Sequence, residues 1–180
     1  MAEEPAQSLR EITIQLDVYD DIFSDFDPRP YNERELSDDF LKEIQRRYME
    51  DKRGRFEVHF TIPSTERDTK AEALIKRRLR EHFAFMVKHE AEAIKHTRTR
   101  GYLYVLIGAV VLIGDALAFG FLGESVEYHL LSVMLVPAGW YGMFTGIGKV
   151  IDEPFESVNK KRLYEKFEKA NYVFLSEELE

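Results

Sequence analysis

The sequence predicts a small α+β domain, of two or three short strands plus helices, joined by a long helix to a transmembrane α-helical hairpin. Three observations carry this reading. Two apolar runs, 102–122 and 130–150, are each about twenty residues long and match a ~30 Å hydrocarbon core at ~1.5 Å per residue. Two earlier segments alternate apolar and polar residues with the period of a β-strand. Between the second of these and the first apolar run, from Ser64 to Arg100, no proline or glycine interrupts the chain.

The elements follow in order. In EITIQLDV, Ile12, Ile14, Leu16 and Val18 alternate with Thr13, Gln15 and Asp17. In RFEVHFTIP, Phe56, Val58, Phe60 and Ile62 alternate with Glu57, His59 and Thr61, so each segment reads as a strand with one buried face. Between them Pro28 and Pro30 stiffen a connection, and Ser37 is placed to cap a helix over DDFLKEIQRRYME. That helix carries a stripe of Phe40, Leu41, Ile44 and Tyr48. From about Lys70, Leu74, Ile75, Leu79, Phe83, Met86 and Ile94 recur at helical spacing. Unbroken to Leu122, this helix would be roughly 80 Å long. Its first half needs cover for its apolar stripe, from the strands and the Phe40 helix or from a neighbouring subunit.

Beyond the second run, Ile151, Phe155, Val158, Leu163 and Phe167 share one face of an amphipathic helix bent near Pro154. YVFL at 172–175 supplies a third strand, since two strands make a poor independent sheet. The expected organisation is an N-terminal α+β region (1–69), the long helix (70–101), the first span (102–122), an external loop (123–129), the second span (130–150) and a helix with tail (151–180).

Charge sets orientation and excludes some partners. Lys88, Lys95, Arg98 and Arg100 precede the first span, and Lys149, Lys160, Lys161 and Arg162 lie at or beyond the end of the second. The loop between has no Lys or Arg, so both termini are expected in the cytoplasm of a multi-pass cell-membrane protein. The N-terminus is acidic and has no apolar leader core, so no cleavable signal is expected. Net charge is −8, and residues 1–51 hold 15 acids against 6 bases. An acidic front of this kind repels phosphate backbones, which argues against nucleic acid as a partner. The absence of cysteine excludes disulfides, thiolate metal sites and cysteine nucleophiles.

Candidate functional residues are few. Asp115 is the one acid inside the first span, about 10 Å below its outer boundary. Intramembrane acids face a partner, a bundle interior or water. Folding the hairpin about residue 126 sets Asp115 opposite Pro137, where it could donate to the freed carbonyl of Val133. The readings are a proton or cation site, or a staple between two helices. Ala138, Gly142 and Gly146 repeat every four residues, and Ala116 and Gly120 form a shorter pair; small residues at this spacing let helices pack closely, within the hairpin or between protomers. Trp140 and Tyr141 lie deep in the second span, where packing against protein is expected. His82, His89 and His96 with Glu92 read as a solvated, salt-bridged face, because His89 and His96 are two turns apart. HEAEA lacks the second histidine of a zinc-protease motif, and DDIFSDFD lacks the glycine and closing glutamate of a calcium loop.

FDPRPYNERELSDDF, the AEALIKRRLREHFAF helix, the two spans and KKRLYEKFEKA together resemble a family of small uncharacterised prokaryotic two-span membrane proteins (a domain of unknown function). Phe26-Asp27-Pro28, Arg34, Leu36 and the closing Arg162-Leu163-Tyr164 carry the resemblance. It implies no catalytic residue. No nucleophile–base set is present and no cofactor or metal is expected. The expected function is a non-enzymatic homo-oligomeric scaffold or accessory module with an acidic cytoplasmic platform. The alternative is a small oligomeric ion channel with Asp115 near its outer mouth.

Overall fold

The computed structural model describes residues 10–50 and 56–177. Glu3, Glu4 and Asp51 of the acidic front lie outside them. The chain divides into two compact units, one of residues 1–84 with 165–180 and one of residues 85–164.

In the first unit, β1 (Arg10–Gln15), β2 (Phe56–Pro63) and β3 (Asn171–Glu177) form a three-stranded parallel sheet in the order β1-β2-β3. Helix α1 (Asp38–Glu50) connects β1 to β2. The β2–β3 connection holds α2 (Thr69–Leu122), α3 (Val126–Ile151) and α4 (Phe155–Glu168). The expected strands and helices are present, and they alternate as β-α-β with all strands parallel. Parallel neighbours cannot be joined by tight turns, so each connection is a long crossover, here carried by helices.

The register aligns Ile12 with Val58 and Tyr172, and Ile14 with Phe60 and Phe174, in two buried rows across the sheet. Crossovers that step the same way with the usual right hand leave their helices on one face. Accordingly, α1 sets Phe40, Ile44 and Tyr48 on that face, α2 adds Ile75, Leu79 and Phe83, and α4 adds Phe167. Phe167 stacks on Phe83 at 5.0 Å and meets Phe56 and Tyr48 edge-on at 5.1 and 5.6 Å. Phe60, Phe83 and Phe167 are fully buried, and each contributes on the order of 2–3 kcal/mol. The other face stays polar: Asn171 donates to Glu57 at 2.8 Å, and His59 lies between Glu57 and Glu11. Arg47 donates to the carbonyl of Thr13 on strand β1.

Two carboxylates fix the loops at the ends of the strands. Glu72, buried in the first turn of α2, holds the Arg67 guanidinium at 2.9 and 3.1 Å and accepts from the Tyr19 hydroxyl at 3.3 Å. Arg67 also donates to Ser176 at 3.0 Å, which ties the start of α2 to the end of β3. Asp27 is buried and accepts from the Arg29 guanidinium and from the backbone N–H groups of Arg29 and Glu35 at 3.1 and 2.7 Å. Arg34 bonds the carbonyl of Ser24 and pairs with Asp20 at 2.8 Å, while Leu36 is buried and Phe26 stands 97% exposed.

In the second unit, α2 ends where Gly123 adopts a left-handed φ of 59° and donates to the Phe119 carbonyl at 2.9 Å. Ser125 caps α3 by accepting the Tyr128 N–H at 3.2 Å, so the helix begins four residues before the 130–150 window. The turn between the helices is therefore only residues 123–125. α3 ends where the N–H groups of Asp152 and Glu153 both reach the Gly148 carbonyl, and Pro154 precedes α4. Two helices are long and apolar enough to cross a membrane, with apolar windows of mean hydropathy 2.4 and 1.5 that are each only 11% buried.

The Arg29 guanidinium holds the Asp27 carboxyl well below the usual carboxylate range. A depressed carboxyl adds stability above its ordinary value of 3.8 and loses it as pH falls through the folded value. Asp27→Asn is therefore expected to lower the thermal midpoint of the first unit at pH 7, with the gap to the parent closing below pH 3.8, followed by near-UV circular dichroism.

Candidate functional site in the helical hairpin

The hairpin is built on a seam of close approach. A Cβ on Gly108 would lie 2.6 Å from the Gly139 carbonyl oxygen, and one on Gly146 would lie 2.6 Å from the Gly101 oxygen and the Val105 nitrogen. Gly139 meets Leu112, and Gly142 meets the Gly108 Cα at 3.2 Å. The neighbouring atoms are mostly backbone, which cannot move aside.

Both GxxxG residues, Gly142 and Gly146, thus face α2 of their own chain. Ala116, Gly120 and Ala138 do not join them: all three are exposed, and Gly120 has nothing within 4 Å. The phase of α2 explains the difference. Gly101, Gly108 and Asp115 recur every seven residues with Val105, Leu112 and Phe119 four positions on, and Ala116 and Gly120 each fall one residue outside this stripe. The seven-residue recurrence is the sequence signal that marks Gly101 and Gly108.

Asp115 is the next position on that stripe. It is 8% exposed, and the Tyr128 hydroxyl donates to its Oδ2 at 3.4 Å. Its Oδ1 is buried without a hydrogen-bond partner. Phe119 packs against the Tyr128 ring at 5.2 Å. The expected contact between Asp115 and the Val133 carbonyl does not form: Oδ1 has no partner and Oδ2 accepts from Tyr128. The partner is instead Tyr128 in the first turn of α3, which the 123–125 turn brings back over α2. Trp140 and Tyr141 are 49% and 71% exposed in the single chain, and Trp140 stacks on Phe144 at 5.4 Å.

The chemistry available here is narrow. One carboxyl with one phenol can hold or pass a proton and can clasp two helices; it has no adjacent base, second carboxylate or nucleophile. Among the described residues no group of three or more His, Asp or Glu could hold a metal. His89 and His96 are exposed, and burial together with the Arg78 charge pushes the His82 imidazole below its ordinary value. The sheet order has no reversal, so no crevice opens between diverging connections at the strand ends.

Gly108→Ala and Gly146→Ala are expected to destabilise the hairpin by about 1–3 kcal/mol through overpacking, despite the higher helix propensity of alanine. Gly120→Ala, facing open space, should be neutral or slightly stabilising. Thermal unfolding in mild detergent checks both.

No protein-family model, no curated protein and no solved structure matches this chain.

Proposed function

We propose that this chain is a two-span integral membrane protein that self-associates and serves as a non-enzymatic scaffold or accessory module, displaying its acidic α/β unit in the cytoplasm. The observation that carries the reading is the pair of apolar windows, of mean hydropathy 2.4 and 1.5, of which the chain buries only 11% each. A soluble protein would bury helices of this composition, and the lipid bilayer is the medium that covers them without further protein.

Topology supports the same layout. β2 and β3 are neighbours in one sheet, and the hairpin lies in the connection between them. A chain that leaves a sheet and returns to it crosses a membrane an even number of times. Both ends of the hairpin then face one side, and the basic residues flanking both spans favour the cytoplasm. The long helix α2 is the element proposed to carry the chain from the α/β unit into the bilayer.

The buried, unpartnered Oδ1 of Asp115 favours one second reading, a small oligomeric ion channel using this carboxyl near its outer mouth. Its burial against its own hairpin favours the scaffold, because a pore-lining acid must meet water.

The protein is expected to remain in the membrane fraction after alkaline carbonate washing and to require detergent for extraction. Release into plain buffer as a folded protein would overturn the reading. Because the chain has no cysteine, single Glu124→Cys and Glu66→Cys variants report topology. An impermeant maleimide should label position 124 from outside intact cells and position 66 only after lysis. In proteoliposomes the scaffold reading expects no ion flux, whereas a channel would conduct and Asp115→Asn would reduce that flux at least tenfold.

A further inference from the structure

The first apolar run begins where α2 passes Gly101. A Cβ there would lie 2.7 Å from Val150 and 3.0 Å from Lys149, so the start of the first run meets the end of the second. Two arginine–tyrosine pairs straddle this level. Arg98 and Tyr102 are four residues apart, as are Arg100 and Tyr104, so each phenol stands one turn from its guanidinium on one strip of the helix. The strips are two residues out of step and lie on opposite flanks of the packed seam.

Depth and charge agree. The headgroup layer is about 5–8 Å thick on each side of the hydrocarbon. Counted from Tyr102, Arg100 stands about 3 Å and Arg98 about 6 Å outside the apolar run, within that layer. Side chains on a helix lean toward its N-terminus, so both phenols rise toward the arginines. Both arginines are exposed, and Tyr102 and Tyr104 are 62% and 42% exposed. Among the described residues none of the four side chains has a partner. On α2 no acid lies between Glu92 and Asp115. At the α3–α4 junction Glu153 is held by Lys149 and Glu156 by Lys160, each at 2.7 Å, and Asp152 pairs with neither arginine.

We propose that Arg98 with Tyr102, and Arg100 with Tyr104, are two binding positions for the phosphate of anionic phospholipids in the cytoplasmic leaflet. The proposal rests on the membrane reading above and adds a ligand to it. A guanidinium stays charged and meets phosphate oxygens through two parallel N–H donors, and the phenol supplies a third donor from the hydrocarbon side. A lipid is the occupant because both pairs stand at headgroup depth beside the apolar run, in a chain whose net charge of −8 disfavours soluble anions elsewhere.

The test uses the full chain in vesicles of equal parts phosphatidylcholine and phosphatidylglycerol, with spin-labelled lipids reporting which headgroup contacts the protein. A preference of about fivefold for phosphatidylglycerol is expected. Arg98→Gln with Arg100→Gln should bring it to parity, and Arg98→Lys with Arg100→Lys should keep most of it. Lys70→Gln with Lys88→Gln, the same charge change farther from the apolar run, should leave it intact. Equal contact of both lipids with the parent, or a preference that survives the Gln pair, overturns the proposal and leaves the membrane reading standing. Loss of the preference on adding inorganic phosphate at constant ionic strength overturns a lipid as the ligand. A chain that does not insert into the vesicles overturns both readings.

Discussion

The parallel pairing of β2 with β3 is the constraint on which the rest depends. Phe60 and Phe174 sit side by side in adjacent strands, yet the chain between them contains both apolar helices. The sheet is thereby made from segments at either end of the sequence, and its core closes only when α4 delivers Phe167 beneath Phe56 and against Phe83. Arg67 adds a polar tie, reaching Glu72 at the start of α2 and Ser176 on β3. With both crossovers on one face, the opposite face stays wet, which accounts for the row of Glu11, His59, Glu57 and Asn171 across it.

The hairpin obeys a different logic. Its two helices are joined by close backbone approach. Five glycines, Gly101, Gly108, Gly139, Gly142 and Gly146, bring the backbones together, and Asp115 with Tyr128 closes the end nearest the turn. The carboxyl therefore reads first as part of the clasp. Its unpartnered oxygen is the one polar feature of the clasp that the chain itself leaves unanswered.

Much of this was legible in the sequence where the signal is local. Alternation placed Ile12, Ile14, Val58 and Phe60 on one buried face, and helical spacing placed Phe40, Ile44 and Tyr48 opposite them. The third strand followed from YVFL and from the instability of two strands alone. Strand direction was not legible, because pairing between residues so far apart leaves no local trace. Within the hairpin the close approach on α2 follows a stripe that repeats every seven residues from Gly101, and the expected four-residue pair of Ala116 and Gly120 lies beside it, exposed in the single chain. The Asp115 partner was missed because the turn was drawn too long. Once Ser125 caps α3, Tyr128 moves from the loop into the helix and over the carboxyl.

The split sheet also has a consequence for biogenesis. A ribosome completes β1 and β2 early, but β3 emerges only after more than a hundred further residues, both hydrophobic segments among them. Until then α1 covers one side of the two finished strands through Phe40, Ile44 and Tyr48, and the contribution of Phe167 is still missing. The sheet is therefore completed only when the last strand comes back to pair with β2, after both apolar helices have been made.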